Sequence, residues 1–238
     1  MAENANVEVE QSFGAFFEGW LSRKQHLLER LLRVSVPLSS PESACKIQEQ
    51  QKTVIEQVLS HYRQYFREKS RVADVDVFLL ISPTWLSSYE RALLWISDYR
   101  PSLLLRLLDG AVEGLTADQE RRLEQVKAET KRKERELTVA MASVQESVAG
   151  PSKLELAGRV GRILDGEISV MDSSVEELKR AMAGILERAD ELRVSTVMKV
   201  ADILSSNQTI KFLVAAAEFQ LRARSLGVQR DAAAQSQR

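Results

Sequence analysis

The stretch SPTWLSSYERALLWISDYRPS, Ser82 to Ser102, gathers Trp85, Tyr89, Trp95 and Tyr99 in a chain that is only 6% aromatic. At 100° per residue Trp85, Leu86, Tyr89, Ala92, Leu93 and Ile96 form one broad apolar face, while Ser87, Glu90, Arg91 and Ser97 lie off it. The spacing predicts a helix with Ser82 as its cap and Pro83 at its first position, where a missing N–H costs nothing. Leu94 and Trp95 do not fit that face, so a second side of the helix meets a neighbouring helix, a partner or a ligand. Arg100 precedes proline and is disfavoured in the α region, which ends the helix. Pro101 then opens SLLLRLLD, and Gly110 closes it. The motif is therefore a helix, a tight corner at Trp95, Asp98, Arg100, Pro101 and Ser102, and a second helix.

Outward from the corner the same pattern repeats. Only 10 Gly and 5 Pro interrupt 238 residues, and apolar positions recur at three and four. A first helix carries Phe13, Phe16, Phe17, Trp20, Leu21, Leu27, Leu28, Leu31 and Leu32 from a Ser12 cap and stops before Pro37. A second spans about Glu42 to Lys69. The segment Asp74 to Ile81 reads as a buried helical turn rather than a strand, because a lone strand has nothing to pair with. Thr116 and Gln119 form a capping box that starts a long helix. Its imperfect heptad seam runs through Leu123, Val126, Thr130, Lys133, Leu137, Ala140, Val144 and Ser147 or Val148 to a stop at Gly150-Pro151. Gly158, Gly161 and Gly166 suggest a connector over 154–170, and Ser173 or Ser174 begins another helix. The last helix is expected from Asn207 to Leu226, capped by Gly227. The fold class is all-α, a single multi-helix bundle with long antiparallel helices over 12–228. The ends, 1–11 and 229–238, read as unstructured.

Composition excludes several functions. A formal net charge of -1 gives no global field for nucleic acid or anionic membrane. No apolar run approaches the roughly 20 residues that span a bilayer, and the acidic start MAENANVEVEQ is not a signal peptide. Cys45 is the single cysteine and has no intramolecular disulfide partner. These features predict a soluble, intracellular protein.

No catalytic or metal-binding constellation is visible. His26 and His61 are the only histidines, and no Cys or His spacing resembles a metal site. Glu176 and Glu177 point to different sides of a helix and read as solvated surface. The basic run at Arg121, Arg122, Lys131, Arg132, Lys133 and Arg135 is interleaved with Glu120, Glu124, Glu129, Glu134 and Glu136, which would repel phosphates. No direct sequence-specific DNA binding is expected. From Trp20 to Val34, Trp20, Leu27 and Val34 stand seven apart among Arg23, Lys24, Arg30 and Arg33, like a calmodulin target. The competing reading is that this face packs into the protein's own core.

Taken in order, HYRQYFREKS, SPTWLSSYERALLWISDYRPS, LTADQ, ERELTVAMASVQESVAGP, ADELRVSTVMKVADIL and AAAEFQLRARSLG resemble the plant delay-of-germination domain, across about 12–230. That domain is shared by seed-dormancy regulators and the C-terminal part of TGA-type bZIP transcription factors, and this chain is similar to the stand-alone members. The resemblance implies a regulator without catalytic activity, found in nucleus and cytoplasm. It implies partners as well. Type 2C protein phosphatases of abscisic-acid signalling would be met near Phe13, Phe16, Phe17 and Trp20; TGA-type factors or a second copy of the chain would be met through the domain. The alternative functions are a transcription co-regulator or a helical sensor of haem or a small apolar molecule. Family haem binding uses C-terminal histidines, and none follows His61 here; no cofactor is expected. The family also usually has two glycines where this chain has Ser97-Asp98, which predicts an altered corner.

Overall fold

A computed structural model describes the backbone of residues 2–35, 41–148 and 165–236 and the side chains of 6–35, 46–147 and 173–236. Seven helices account for the regular structure among them: α1 (Ala2–Val34), α2 (Pro41–Ile81), α3 (Ser88–Ala92), α4 (Pro101–Ala111), α5 (Ala117–Val148), α6 (Asp165–Ile203) and α7 (Ser206–Ser236). The chain is all-α, as its periodicity predicts.

The long helices pair antiparallel. Phe13 of α1 meets Tyr65 of α2, whereas Val34 accepts a hydrogen bond from Gln51. On α5 and α6, Gln119 donates to the Ile203 carbonyl and Thr130 faces Thr196. Glu18 of α1 pairs with Arg224 of α7. Three apolar clusters fill the bundle. One, at the end holding the α6–α7 corner, contains Leu31, Val58, Leu108, Leu123, Val200 and Phe212. A second joins Phe13, Phe17 and Trp20 to Tyr65, Val72 and Met182. The third sets Trp95 against Leu137, Ile185, Ala189 and Leu192.

Several boundaries differ from the sequence reading, each for a local reason. Helix α1 begins at Ala2, not Ser12, because residues assigned to a loose terminus find partners: Asn6 Nδ2 donates to Asp76 Oδ2 at 2.8 Å, Thr84 donates to Glu10, and Val9 packs on the second cluster. Helix α7 likewise continues past Gly227 to Ser236, with Asp231 accepting from the Ser88 backbone N–H at 2.9 Å. Gly227 is no cap. A Cβ there would lie 1.9 Å from Ser87 Oγ, so glycine is what lets α7 pass the start of α3.

Helix α2 runs on to Ile81 through a kink at Asp76 (φ -154°, ψ 107°), whose carboxylate accepts from Phe78 N and restarts the helix; Val77 and Leu80 beyond it are buried. The Asp74–Ile81 segment is thus helical. Ser82 finishes α2 by donating its N–H to the Phe78 carbonyl, and it caps nothing. Ser87 does the capping, in a box with Glu90. Helix α3 consequently ends at Ala92, which explains why Leu94 and Trp95 do not fit a helical face. Pro101 opens α4 as predicted, but Gly110 lies within it, and the left-handed glycine is Gly114 (φ +69°). The Thr116–Gln119 box is present.

The α5 seam passes through buried Glu134 where the heptad places Lys133, since 3.6 residues per turn drift from a strict seven. Glu134 accepts from Ser102 N at 2.6 Å and sets a negative charge on the first turn of α4. Helix α6 is already formed at Asp165, ahead of the expected start at Ser173 or Ser174. The predicted Gly150-Pro151 stop and the 154–164 part of the connector lie outside the described residues.

Candidate functional site

The corner between α3 and α4 is a tight turn closed by paired backbone bonds between Trp95 and Asp98, with Trp95 N donating to Asp98 O at 2.8 Å. Its central residues, Ile96 (φ +46°) and Ser97 (φ +67°), are left-handed, which costs an L-residue about 1–2 kcal/mol each. Helix α6 supplies the restraint. Arg193, 4% exposed, donates from Nη2 to the carbonyls of Trp95, Ile96 and Asp98 and from Nε to Tyr99 O at 2.9 Å. Its other partner is Asp190, which also accepts from the buried Lys69 ammonium of α2 at 2.8 Å; Asp98 stands 3.8 Å from the same ammonium. Burial lowers the Lys69 pKa, while Asp190 and then Asp98 oppose that shift. Two cations and two carboxylates therefore clamp two helices, α2 and α6, and the corner into one unit.

Trp95 is part of that unit. Its ring lies between the Arg100 and Arg193 guanidiniums, each 5.4 Å from the centroid, and its Nε1 donates to Thr138 Oγ1 at 2.9 Å. The indole is buried, so it faces neighbouring helices and offers no partner surface. Arg100 is exposed. Asp98 does not occupy a left-handed conformation: the strain falls at 96 and 97, and Asp98 Oδ1 accepts from Tyr99 N.

The N-terminal aromatics form the other notable assembly. Phe13, Phe17 and Trp20 are buried, and Phe16 is half-buried beside them. Trp20 stacks on His61 (4.8 Å, 9°) and donates to the His61 carbonyl; Phe13 meets Trp85 at 4.7 Å. Trp20, Tyr62, Leu94, Met198 and Phe212 line a cavity of about 100 Å³ near this cluster. Lys24 Nζ and Ser97 Oγ on its wall are buried without a hydrogen-bond partner. The ammonium lies instead over the Trp20 and Tyr62 rings, at 4.2 and 4.8 Å. Burial pushes Lys24 down to about 7, against the pull of Asp98.

The geometry can be set beside known proteins. The family model DOG1, described as seed dormancy control, matches residues 32–109, which include the whole corner. The chain is 39% identical over 224 residues to Protein RESPONSE TO ABA AND SALT 1 of Arabidopsis thaliana, an alignment covering 92% of this chain and 96% of that protein. The chain belongs to the DOG1 family. Similarity to Protein ZW2 of the same plant is 38%, over 92% of this chain and 97% of the relative. Transcription factor TGA2 is 28% identical across 90% of this chain and 63% of its own length.

Several residues that the sequence pattern singles out have structural roles. Trp20, Leu27 and Val34, the calmodulin-like set, turn towards the core, as the competing reading of that helix holds. The α5 charges pair locally: Arg132 with Glu136, and Lys133 with a Glu129 that Lys199 and Lys133 together hold at about 2. Glu176 pairs with Lys179. His26 and His61 line a groove of arginines and glutamines between α1 and α2, with His61 held flat on Trp20, a setting that does not fit the apolar slot a haem needs. Among the described residues there is no cluster of three or more metal-ligating side chains, and no helix is long and apolar enough to cross a membrane. Sequence reasoning missed Arg193, Asp190, Lys69 and Glu134. All four lie in runs that carry the family resemblance, ADELRV, HYRQYFREKS and ERELTVAMASVQESVAGP, and that is the available signal.

Proposed function

We propose that this DOG1-family chain is a plant regulatory protein without catalytic activity, acting by protein–protein contact in abscisic-acid signalling, seed dormancy or development. The observation that carries the reading is its 39% identity to RESPONSE TO ABA AND SALT 1 along 92% of the chain. The internal chemistry supports it: burial lowers Lys69 and raises Tyr65, and both pack inside the bundle near Asp98 and Asp190. The proposed partners are type 2C protein phosphatases and, through kinship with TGA2, TGA-type factors or a second copy of the chain, in nucleus and cytoplasm. With Phe13, Phe17 and Trp20 buried, Phe16 is the aromatic of that helix with surface to offer. Calmodulin would require α1 to leave the core and is not part of the proposal.

A pull-down with purified type 2C phosphatases tests the reading. Wild type is expected to capture the phosphatase and Phe16→Ala to capture less at unchanged helicity; failure of wild type to capture any of them counts against it. A second reading, a sensor of small apolar molecules, is favoured by one observation, the unpartnered Lys24 ammonium on the cavity wall. Native mass spectrometry finding no adduct on protein purified from plant tissue would dispose of it.

A further inference from the structure

On the outer side of α1 and α2, away from the clamp, the two antiparallel helices leave an open groove of about 650 Å³ that continues into a second of about 490 Å³. Its walls are cationic. Arg23, Arg30 and Arg33 come from α1, and Lys46, Arg67 and Arg71 from α2. Only Arg71 among these six has a carboxylate partner within the described residues, Glu68 at 2.8 Å. On α5, by contrast, Arg121, Arg132 and Lys133 each pair with a carboxylate of their own helix. Glu49 is the one other acid on the walls. A second observation singles out the same place: His61, 7% exposed, lines the groove with its Nε2 buried and unpartnered.

We propose that this groove docks an acidic helix of a partner protein. Arg23, His26, Arg30 and Arg33 follow one another at intervals of three, four and three, the repeat of one helix face, over about 15 Å of axis. A partner helix with Asp or Glu at the same intervals matches the charges in register, and a trough between two helices is the shape that receives a third. Nucleic acid fits less well, because Glu49 and Glu68 interrupt the continuous positive track that a phosphate backbone follows. The apolar face of α1 stays in the core throughout, so this differs from calmodulin-type recognition. The proposal rests on the reading of the chain as a protein-binding module, yet it uses a surface that excludes Phe16.

The test is fluorescence anisotropy with the full chain and a labelled peptide of about 20 residues carrying Glu at i, i+3, i+7 and i+10 on an alanine background. A scrambled peptide of equal composition and a duplex of about 20 base pairs serve as competitors. Binding should weaken at least about tenfold in the Arg30→Glu/Arg67→Glu double variant, and with added salt, while Lys131→Glu/Arg132→Glu on α5 leaves it unchanged. Both charge reversals are at exposed side chains, and circular dichroism checks the fold; Arg30→Gln should give a smaller loss in the same direction. Equal binding of the scrambled peptide, tighter binding of the duplex, or no peptide binding at low salt would each overturn the proposal. None of these outcomes bears on the phosphatase pull-down, so the two can fail separately.

Discussion

The Arg193 guanidinium donates to the Ile96 carbonyl at 2.9 Å and so holds in place a β-branched residue at φ +46°. Alone, such a turn would relax, because Ile gains nothing locally from the left-handed region. The clamp from α6 makes it the stable state. Strain of this kind persists only where the surroundings over-determine the backbone.

Arg193→Lys should therefore destabilise the protein by about 2–3 kcal/mol, through lost charge-assisted hydrogen bonds, despite conserving the charge. An ammonium cannot reach the carbonyls of residues 95, 96, 98 and 99 together. Urea unfolding reads this as a fall in midpoint at unchanged m-value; a loss below about 1 kcal/mol would mean the turn holds itself.

Ser97→Gly should act in the opposite direction. It removes left-handed strain worth about 1–2 kcal/mol and a buried hydroxyl without a partner, against about 0.5–1 kcal/mol of added chain entropy. A net gain of about 1 kcal/mol is expected in the same unfolding assay. A loss would show that the Ser97 hydroxyl is satisfied in solution.

Gly227→Ala tests the crossing of α7 over α3. Helix propensity alone favours alanine by about 1 kcal/mol. The new Cβ, however, would sit 1.9 Å from Ser87 Oγ and 2.6 Å from Ser87 Cβ, which forces the helices apart. A net destabilisation of about 1–3 kcal/mol follows, visible as a lower Tm; the double variant Ser87→Gly/Gly227→Ala should recover part of it.

Lys24 makes stability depend on pH. Its ammonium titrates near 10.5 when unfolded and about 7 when buried, so between these values the unfolded chain holds the extra proton. Stability from this group therefore rises with pH across that window, by about 3 kcal/mol between pH 7 and 9.5. His61, lowered from 6.5 to about 4 chiefly by burial and then by Lys24, adds a rise over its own lower window. In Lys24→Met the slope above pH 7 should be smaller than in wild type, with the Lys69 share remaining, and stability at pH 7 should increase. Parallel pH profiles of variant and wild type would contradict the assignment.

How much of this was readable beforehand depended on the range of each interaction. The Thr116–Gln119 box was legible because donor and acceptor stand three apart and need nothing else. Ser87 and Glu90 carry the same signature, but Ser82-Pro83 offered a competing start, and only the packing of α2 against the corner decides between them. Gly227 looked like a cap because its reason for being glycine, Ser87, is remote in sequence. Lys69, Glu134 and Arg193 carry no local signature for the same reason: Asp190, Ser102 and the corner carbonyls reach them only in the folded bundle. The helical spacing of the N-terminal aromatics is legible, and Phe13, Phe17 and Trp20 face the core as an apolar helix face does, while Phe16 is half-buried.

On the proposed function, the chain works by binding a regulatory partner through its surface. The most direct measurement is isothermal titration of the purified full chain into a purified type 2C phosphatase, alongside Phe16→Ala. Saturable binding that weakens about tenfold or more in the variant, at unchanged fold, is the predicted result. No heat of binding with any such phosphatase, or identical affinity in the variant, would contradict it.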